Sequence, residues 1–200
     1  MLIGIMGKMG AGKTLTMSML ATYMAQRSNA PLWANYGLLN ANRIKNREQL
    51  WKMENGIFCF DELWLTLDAR NWENNVLLTH WVNQTRKKKL LVFYTTQHIR
   101  QVELRVRNGT DILIYCEKKD NGQIKLTFID WQYREIGRQV SLNNNYDIMR
   151  KFYGLYDTYE IVDIIGNSNV CWKCNKDNQD KNKIECNECG VLYKKYLFNF

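Results

Sequence analysis

The chain has 200 residues, of which 46% are apolar and 24% are charged, so it can form one α/β domain with a core and a small additional module. This composition excludes a disordered chain, and because no apolar run approaches the length of a bilayer span, we expect an intracellular protein without a transmembrane segment. The formal net charge of +8 favours a polyanionic partner, most often nucleic acid.

The first predicted element is a strand over residues 1–6, and the sequence GKMGAGKT follows it directly. A strand that leads into G-x-x-x-x-G-K-[ST] is typical of a phosphate-binding loop that begins a helix, here predicted over 13–27. In such a loop backbone N–H groups cradle the phosphates of a nucleotide, here expected to be ATP. We expect Lys13 to reach the β- and γ-phosphates and Thr14 to be a ligand of Mg²⁺. The predicted nucleotide-binding residues are Gly7, Lys8, Met9, Gly10, Ala11, Gly12, Lys13 and Thr14. A glycine-rich turn that binds nothing is the alternative.

A strand over 32–36 and a helix over 42–52 are predicted next, before an apolar strand over 57–60 that ends in Asp61 and Glu62. A continuous apolar run is typical of a strand buried on both faces, and ligands of open α/β sheets bind at the C-terminal ends of the strands. We expect Asp61 to hold Mg²⁺ through its water shell. We expect Glu62 to orient and deprotonate the attacking water. Two solvated acids at a strand end are the alternative.

Residues 63–89 are predicted to form a loop and a helix, and a further apolar strand is predicted over 90–96. Gln97 follows this strand and can both donate to a γ-phosphate oxygen and accept from the attacking water, so it is a catalytic candidate. We interpret the adjacent His98 as structural. The basic run 86–89 is equally typical of a solvated helix end and of a nucleic-acid contact.

Residues 97–109 are predicted to form a loop that carries Arg105 and Arg107. Runs at 112–116 and 124–129 flank an Asn-Gly pair, which is a strong hairpin signal. Strands that alternate with helices and end in a hairpin predict an α/β fold, with a mainly parallel sheet and antiparallel strands at one edge.

The six cysteines fall into two groups. Cys59 and Cys116 lie singly within apolar strands and are predicted to be buried thiols. The others form two C-x-x-C pairs with an eleven-residue spacer, which predicts a structural, tetrahedral Zn²⁺ site; they are Cys171, Cys174, Cys186 and Cys189. A redox or disulfide pair is the alternative. We therefore expect a P-loop domain over 1–165 and a zinc-ribbon-like module over 166–200.

The phosphate loop, the Asp-Glu strand end and the sequence Thr95-Thr96-Gln97 together resemble the FtsK/HerA superfamily of P-loop ATPases. Within it, the chain resembles the genome-packaging ATPases of viruses, in particular those of archaeal turreted icosahedral viruses, and Zot-like phage proteins. The resemblance extends over about residues 1–162 and is supported by local stretches at Asn35-Tyr36, Asp68-Ala69-Arg70, Gln84-Thr85-Arg86-Lys87, 102–107 and 155–160.

The resemblance implies a RecA-like core that assembles into a homo-oligomeric ring, a hexamer or a pentamer, with ATP at the subunit interfaces and double-stranded DNA in the channel. A neighbouring subunit would supply an arginine finger, for which we favour Arg105 or Arg107 over Arg70 and Arg86. It also implies a capsid or internal membrane protein as partner, and a location in the host cytoplasm or the virion.

Two other readings stay open at this point. One is a non-motor P-loop protein, such as a regulatory nucleotide switch or a Zot-like assembly factor that acts on coat or membrane proteins. The other is a zinc-ribbon binding module with a vestigial nucleotide site, against which Glu62 and Gln97 argue.

Overall fold

The structure, a computed structural model, describes residues 1–44, 47–63 and 80–142, and beyond them residues 152, 154–156, 160 and 162. The strands in these ranges are β1 (Leu2–Met6), β2 (Leu32–Ala34), β3 (Asn42–Arg43), β4 (Ile57–Phe60), β5 (Leu91–Thr96), β6 (Ile112–Lys118), β7 (Ile124–Asp130) and β8 (Glu135–Leu142). The α-helices are α1 (Lys13–Ser28), α2 (Arg47–Lys52) and α3 (Leu104–Gly109), with a 3-10 helix at Ile99–Gln101. Residues 80–83 are also helical, and 84–89 form turns.

The described strands form one sheet in the order β3-β2-β4-β5-β1-β6-β7-β8. Strands β1 to β6 pair in parallel, with β1 between β5 and β6, whereas β7 and β8 are antiparallel additions at one edge. The predicted mainly parallel α/β sheet with an antiparallel edge is therefore confirmed. Because the central strands run in one direction, their C-terminal ends meet at a single edge of the sheet.

Each face of the sheet is covered by its own apolar core. Leu15, Met17 and Ala21 of α1 pack on one face, and Trp81 and other buried residues of the helical segments pack on the other. Strand β4 contributes alternately to the two cores, with Ile57 and Cys59 on the α1 side and Phe58 and Phe60 on the Trp81 side. Its four residues are all buried, as the continuous apolar run predicts. The thiols of Cys59 and Cys116 are free and buried, as expected.

Two predicted elements are wrong in the structure, and one strand was missed. The helix expected over 42–52 begins only at Arg47, because residues 42–43 pair with β2 as β3. Residues 97–109 do not form a loop but a 3-10 helix and α3, whose first turn is capped by the side chain of Glu103. Strand β8 was not predicted, since most of it is exposed and it therefore lacks an apolar alternation.

The described residues beyond 150 pack on the connection between β2 and β3. The N–H of Leu39 donates to the carbonyl oxygen of Leu155 over 2.7 Å, and the ring of Tyr156 meets that of Tyr36 edge-on at 6.1 Å between centroids. Glu160 forms an ion pair of 2.6 Å with Arg43 and also accepts from the N–H of Gly37. In the described ranges, no helix is both long and apolar enough to cross a lipid bilayer.

Candidate active site

The phosphate loop connects β1 to α1 at the C-terminal edge of the sheet, and its shape requires glycine at two positions. Gly12 has φ 87°, and a Cβ there would lie 2.5 Å from Cδ1 of Ile124. A Cβ on Gly7 would lie 2.4 Å from the carbonyl oxygen of Cys116. Any other residue would therefore have to displace the β6–β7 hairpin against which the loop packs. The predicted strand, loop and helix are all present in the expected order.

The loop is prepared for anions by α1 and by Lys13. Gly12 occupies the N-cap position of α1 and has no side chain that could bond the first-turn amides, so they can donate to a ligand. The side chain of Lys13 is largely buried and folds back over the loop, where its Nζ donates to the carbonyl oxygen of Lys8 over 3.1 Å. A phosphate in the loop would therefore meet a cation that is already in place.

Asp61 lies at the end of β4 and accepts hydrogen bonds from two threonines of different elements. Its Oδ1 accepts from Oγ1 of Thr14 at 2.9 Å and from Oγ1 of Thr95 at 2.6 Å. Burial raises the pKa of Asp61 above its ordinary value, while these two hydroxyls and the nearby Lys13 oppose that rise. The structure thus brings together the two predicted Mg²⁺ ligands, Thr14 and Asp61. Hydroxyl and carboxylate oxygens are the donors that Mg²⁺ prefers.

Glu62 follows Asp61, and its position is fixed by a hydrogen bond of its own backbone N–H. Its N–H donates to Oγ1 of Thr95 over 2.8 Å, and its φ of 49° lies in the left-handed region, which costs a non-glycine residue about 1–2 kcal/mol. Thr95 therefore connects two predicted functional residues, since it donates to Asp61 and accepts from Glu62. Thr95 is not among the residues whose role the sequence predicts. A hydroxyl at the end of the strand beside the Asp-Glu strand is the signal that could have found it.

Asn35, which follows β2, is a second missed residue. Its Nδ2 donates to the carbonyl oxygen of Asp61 over 3.0 Å, and its Oδ1 accepts from the N–H of Asp61 at 2.7 Å. This two-point contact fixes the peptide that carries the carboxylate. The next residue, Tyr36, shares a 2.8 Å hydrogen bond with Ser18, whose hydroxyl donates to the carbonyl oxygen of Thr14 over 2.8 Å.

Gln97 lies at the same edge as the phosphate loop, since it follows Thr96, which pairs with Met6 at the end of β1. Its predicted catalytic position is therefore consistent with the fold. The neighbouring His98 is exposed, and its backbone N–H donates to Oε1 of Gln101 over 3.1 Å, which fixes the first turn of the 3-10 helix.

Of the candidate arginines that the structure describes, none lies on a loop at the phosphate edge. Arg105 and Arg107 lie on α3, and the carbonyl oxygen of Arg107 accepts from Nε1 of Trp131, at the opposite edge of the sheet. Arg86 is also at that edge, in a 2.6 Å ion pair with Asp111. A loop that follows Gln97 would have kept Arg105 and Arg107 near the C-terminal edge of the sheet, but the 3-10 helix and α3 lead the chain back to the start of β6.

The predicted zinc ligands Cys171, Cys174, Cys186 and Cys189 and the candidate Arg70 lie outside the described residues, as does the proposed module over 166–200. Among the residues that are described, no group of three or more His, Cys, Asp or Glu side chains could hold a metal ion.

Comparison with known proteins supports the fold. No family model and no curated protein sequence matches the chain. The structure is similar to the N-terminal domain of zonular occludens toxin from Neisseria meningitidis, with a TM-score of 0.55 and 17% identity over 78% of this chain and 98% of that one. It is also similar to the genome packaging NTPase B204 from Sulfolobus turreted icosahedral virus 2 in complex with ATP-gammaS, with a TM-score of 0.54 and 11% identity over 68% and 95%.

A third similar structure is B204, the DNA-packaging ATPase from Sulfolobus Turreted Icosahedral Virus, with a TM-score of 0.53 and 11% identity over 71% of this chain and 98% of that one. At these sequence identities, the structural similarity shows that the fold is shared. Together with the strand, phosphate loop and helix described above, it defines the class of this chain, which has the fold of a P-loop NTPase with a mainly parallel sheet. This agrees with the resemblance that the sequence motifs indicate.

Proposed function

We propose that the chain is an ATP-hydrolysing motor that translocates double-stranded DNA and packages a viral genome into a capsid. The observation that carries the hydrolytic part is the contact of Asp61 with Thr14 and Thr95, which joins the phosphate loop to the strand end that carries Glu62. The net charge of +8 and the likeness to packaging NTPases support the DNA part.

In the proposed reaction, the amides of the loop and Lys13 bind the phosphates of ATP and stabilise the charge that develops during transfer. Thr14 and Asp61 would hold Mg²⁺, which supplies further charge neutralisation at the β- and γ-phosphates. Glu62 accepts a proton from the attacking water, and Gln97 orients that water and contacts a γ-phosphate oxygen. Thr95 and Asn35 hold the segment that carries the carboxylates of Asp61 and Glu62 in a fixed position through their hydrogen bonds.

The assembly is part of the same proposal. The subunits form a hexameric or pentameric ring in which Arg105 or Arg107 of one subunit stabilises the transition state at the site of its neighbour. The protein acts in the host cytoplasm or on the virion, with a capsid or internal membrane protein as partner, and the zinc-ribbon module over 166–200 serves as a docking surface.

A second candidate function is that of an assembly factor acting on coat or membrane proteins. It is favoured by the likeness to the zonular occludens toxin domain, which covers 78% of this chain. The two candidates differ in their response to DNA, because only a DNA motor should hydrolyse ATP faster when a duplex is present.

The test is steady-state ATP hydrolysis with and without linear double-stranded DNA. We expect stimulation by DNA in the wild type, no turnover in Lys13→Ala, and a loss of about 10²–10⁴ in rate for Glu62→Gln with ATP binding retained. Lys119→Ala, at an exposed position, is the control for Lys13→Ala. Turnover without any response to DNA would favour the assembly factor, and normal turnover in Lys13→Ala would exclude the nucleotide site itself.

The arginine finger has its own test. Arg105→Ala and Arg107→Ala should still bind ATP, and at least one should lose hydrolysis by about 10³–10⁵. Mixing that variant with Lys13→Ala subunits should restore part of the activity, because each supplies what the other lacks. Normal activity in both arginine variants would move the role to Arg70 or Arg86.

A further inference from the structure

The hairpin of β6 and β7 lies beside the phosphate loop and extends beyond the end of β1. Tyr115 of β6 pairs with Met6, the last residue of β1, and β6 continues for three more residues to Lys118. At the usual rise of a strand, these residues extend roughly 10 Å past the end of β1, before the turn at 119–123 begins. The hairpin therefore forms one side wall of the nucleotide site, and we call residues 116–126 the hairpin wall.

The hairpin wall is in direct contact with the phosphate loop. Ile124 and the carbonyl oxygen of Cys116 lie so close to Gly12 and Gly7 that neither glycine could carry a Cβ without displacing them. Both Ile124 and Cys116 are buried in the core that α1 covers, so the wall is anchored from below. The distance between the wall and the loop is fixed by this packing.

Lys118 lies on the face of the hairpin that is turned toward α1. Side chains two residues apart on a strand share a face, and Cys116, two residues before Lys118, is buried in the core under α1. Ile124 is paired directly with Lys118 across the strands, and it contacts Gly12 at the N-cap of α1. Because the Cβ atoms of such a pair are about 4.5–5.5 Å apart, Lys118 is a neighbour of the first turn of α1.

The charge of Lys118 is available to a ligand. Its side chain is exposed, and it forms no ion pair with any of the acids that the structure describes. The adjacent pair of Glu117 and Lys125 lies on the opposite face of the hairpin, because side chains alternate along each strand. Asp120 lies further out, at the exposed turn.

The sheet order decides which end of ATP would lie at the hairpin wall. Asp61, Glu62 and Gln97 follow β4 and β5, which lie on one side of β1, whereas β6 lies on the other side. An ATP molecule whose γ-phosphate meets Glu62 and Gln97 therefore extends across the loop toward β6. Its α-phosphate and nucleoside are then the parts that reach the hairpin wall.

We propose that Lys118 binds the α-phosphate of ATP and ADP, on the side of the loop opposite to Glu62 and Gln97. This inference rests on the proposed function and adds one residue to its nucleotide site. A hydrogen bond between an ammonium and a phosphate oxygen is stronger than one between neutral groups. Since the α-phosphate is not transferred, Lys118 contributes equally to the binding of substrate, transition state and product.

The test measures the binding of Mg-ADP and Mg-ATPγS to Lys118→Ala by isothermal titration calorimetry. We expect both Kd values to rise by the same factor, about 5- to 20-fold, because one charge-assisted hydrogen bond is lost at a site that water reaches. KM for ATP should rise with kcat little changed, as the loss of uniform binding requires. Lys118→Arg should recover most of the affinity.

Lys125→Ala is the matched control, since it removes a cation from the opposite face of the same hairpin. It should bind both nucleotides as the wild type does.

A second measurement locates the contact on the nucleotide. In ADPαS a sulfur atom replaces one oxygen of the α-phosphate, and sulfur is the weaker acceptor. The wild type should bind the two diastereomers of ADPαS with different affinities, and this difference should be smaller in Lys118→Ala. An undiminished difference would place the contact of Lys118 elsewhere and overturn the proposal.

The outcomes separate this contact from the proposed function. If the wild type hydrolyses ATP and Lys118→Ala binds both nucleotides as Lys125→Ala does, the contact is wrong and the proposed function stands. If Kd rises for ATPγS alone, or if kcat falls at an unchanged KM, Lys118 acts on the transferred phosphate and the inference is overturned. If the wild type binds neither nucleotide, both the inference and the proposed function are wrong.

Discussion

The carboxylate of Asp61, which the proposed function requires, lowers the stability of the folded state. Burial outweighs the hydrogen bonds from the two threonines, so its pKa is raised above the ordinary value of 3.8. A carboxyl group with a raised pKa destabilises the folded state once it is ionised. Stability is therefore lost as the pH rises from the unfolded pKa through the folded pKa, and the full loss is present above the folded pKa. A metal ion bound beside Asp61 would offset this cost.

Asp61→Asn should therefore make the metal-free protein at least as stable as the wild type at pH 7, while hydrolysis is lost. The gain should disappear near pH 3.5, where the wild-type carboxyl is protonated too. Thermal unfolding in EDTA at both pH values measures this, with Asp120→Asn at an exposed turn as the control. A variant less stable than the wild type at pH 7 would contradict the interpretation.

Thr95 should act as a positioning residue through its single hydroxyl. Thr95→Val keeps the shape but removes the bonds to Asp61 and to the N–H of Glu62, which leaves two partly buried polar groups with one partner fewer. We expect kcat to fall about 10- to 100-fold with ATP affinity little changed, and Thr95→Ser to recover most of the rate.

The matched control is Thr96→Val, one residue further along β5. Its hydroxyl is also buried and donates to the carbonyl oxygen of His98 over 2.9 Å, away from the carboxylates. An equal loss of kcat in both valine variants would indicate a general effect on the strand and not on the position of Glu62.

At the scale of elements, α3 depends on one cap. The side chain of Glu103 is buried and accepts from the N–H groups of Arg105 and Val106, at 2.8 and 3.2 Å. Glu103→Ala should lower the free energy of unfolding by about 1 kcal/mol, as the loss of an N-cap does. Urea denaturation measures the change, and Glu117→Ala at an exposed position of β6 should cost less than about 0.5 kcal/mol. Equal effects would show that the cap contributes nothing specific.

The same elements show what the sequence can predict. Strand β1 is an apolar run that leads into the phosphate loop, and the apolar runs of β4 and β5 lead into polar residues. Both the position of these strands and the edge that carries Asp61, Glu62 and Gln97 therefore follow from the pattern. The contacts of Thr95 and Asn35 depend on the register between separate strands, which no local pattern contains. Glu103 precedes a helix of only six residues, too short to produce a periodicity.

At the scale of the whole molecule, the C-terminal module remains a prediction. Cys171, Cys174, Cys186 and Cys189 should bind one Zn²⁺ per chain, and strong chelation should make residues 170–190 sensitive to proteases while ATP hydrolysis continues. Metal analysis and limited proteolysis with and without chelator measure both effects. Well under one zinc per chain, with all four thiols open to titration, would contradict the site.

The contact of residues 154–156 and Glu160 with the β2–β3 connection has a mechanical consequence. That connection begins at Asn35 and Tyr36. The side chain of Asn35 forms two hydrogen bonds with the backbone of Asp61, and the hydroxyl of Tyr36 shares a hydrogen bond with Ser18. A force transmitted through residues 154–156 and Glu160 therefore acts first on the connection that is hydrogen-bonded to the backbone of Asp61 and to Ser18 of α1. Such a force would thus alter the spacing between Thr14 and Asp61 and, with it, the rate of ATP hydrolysis.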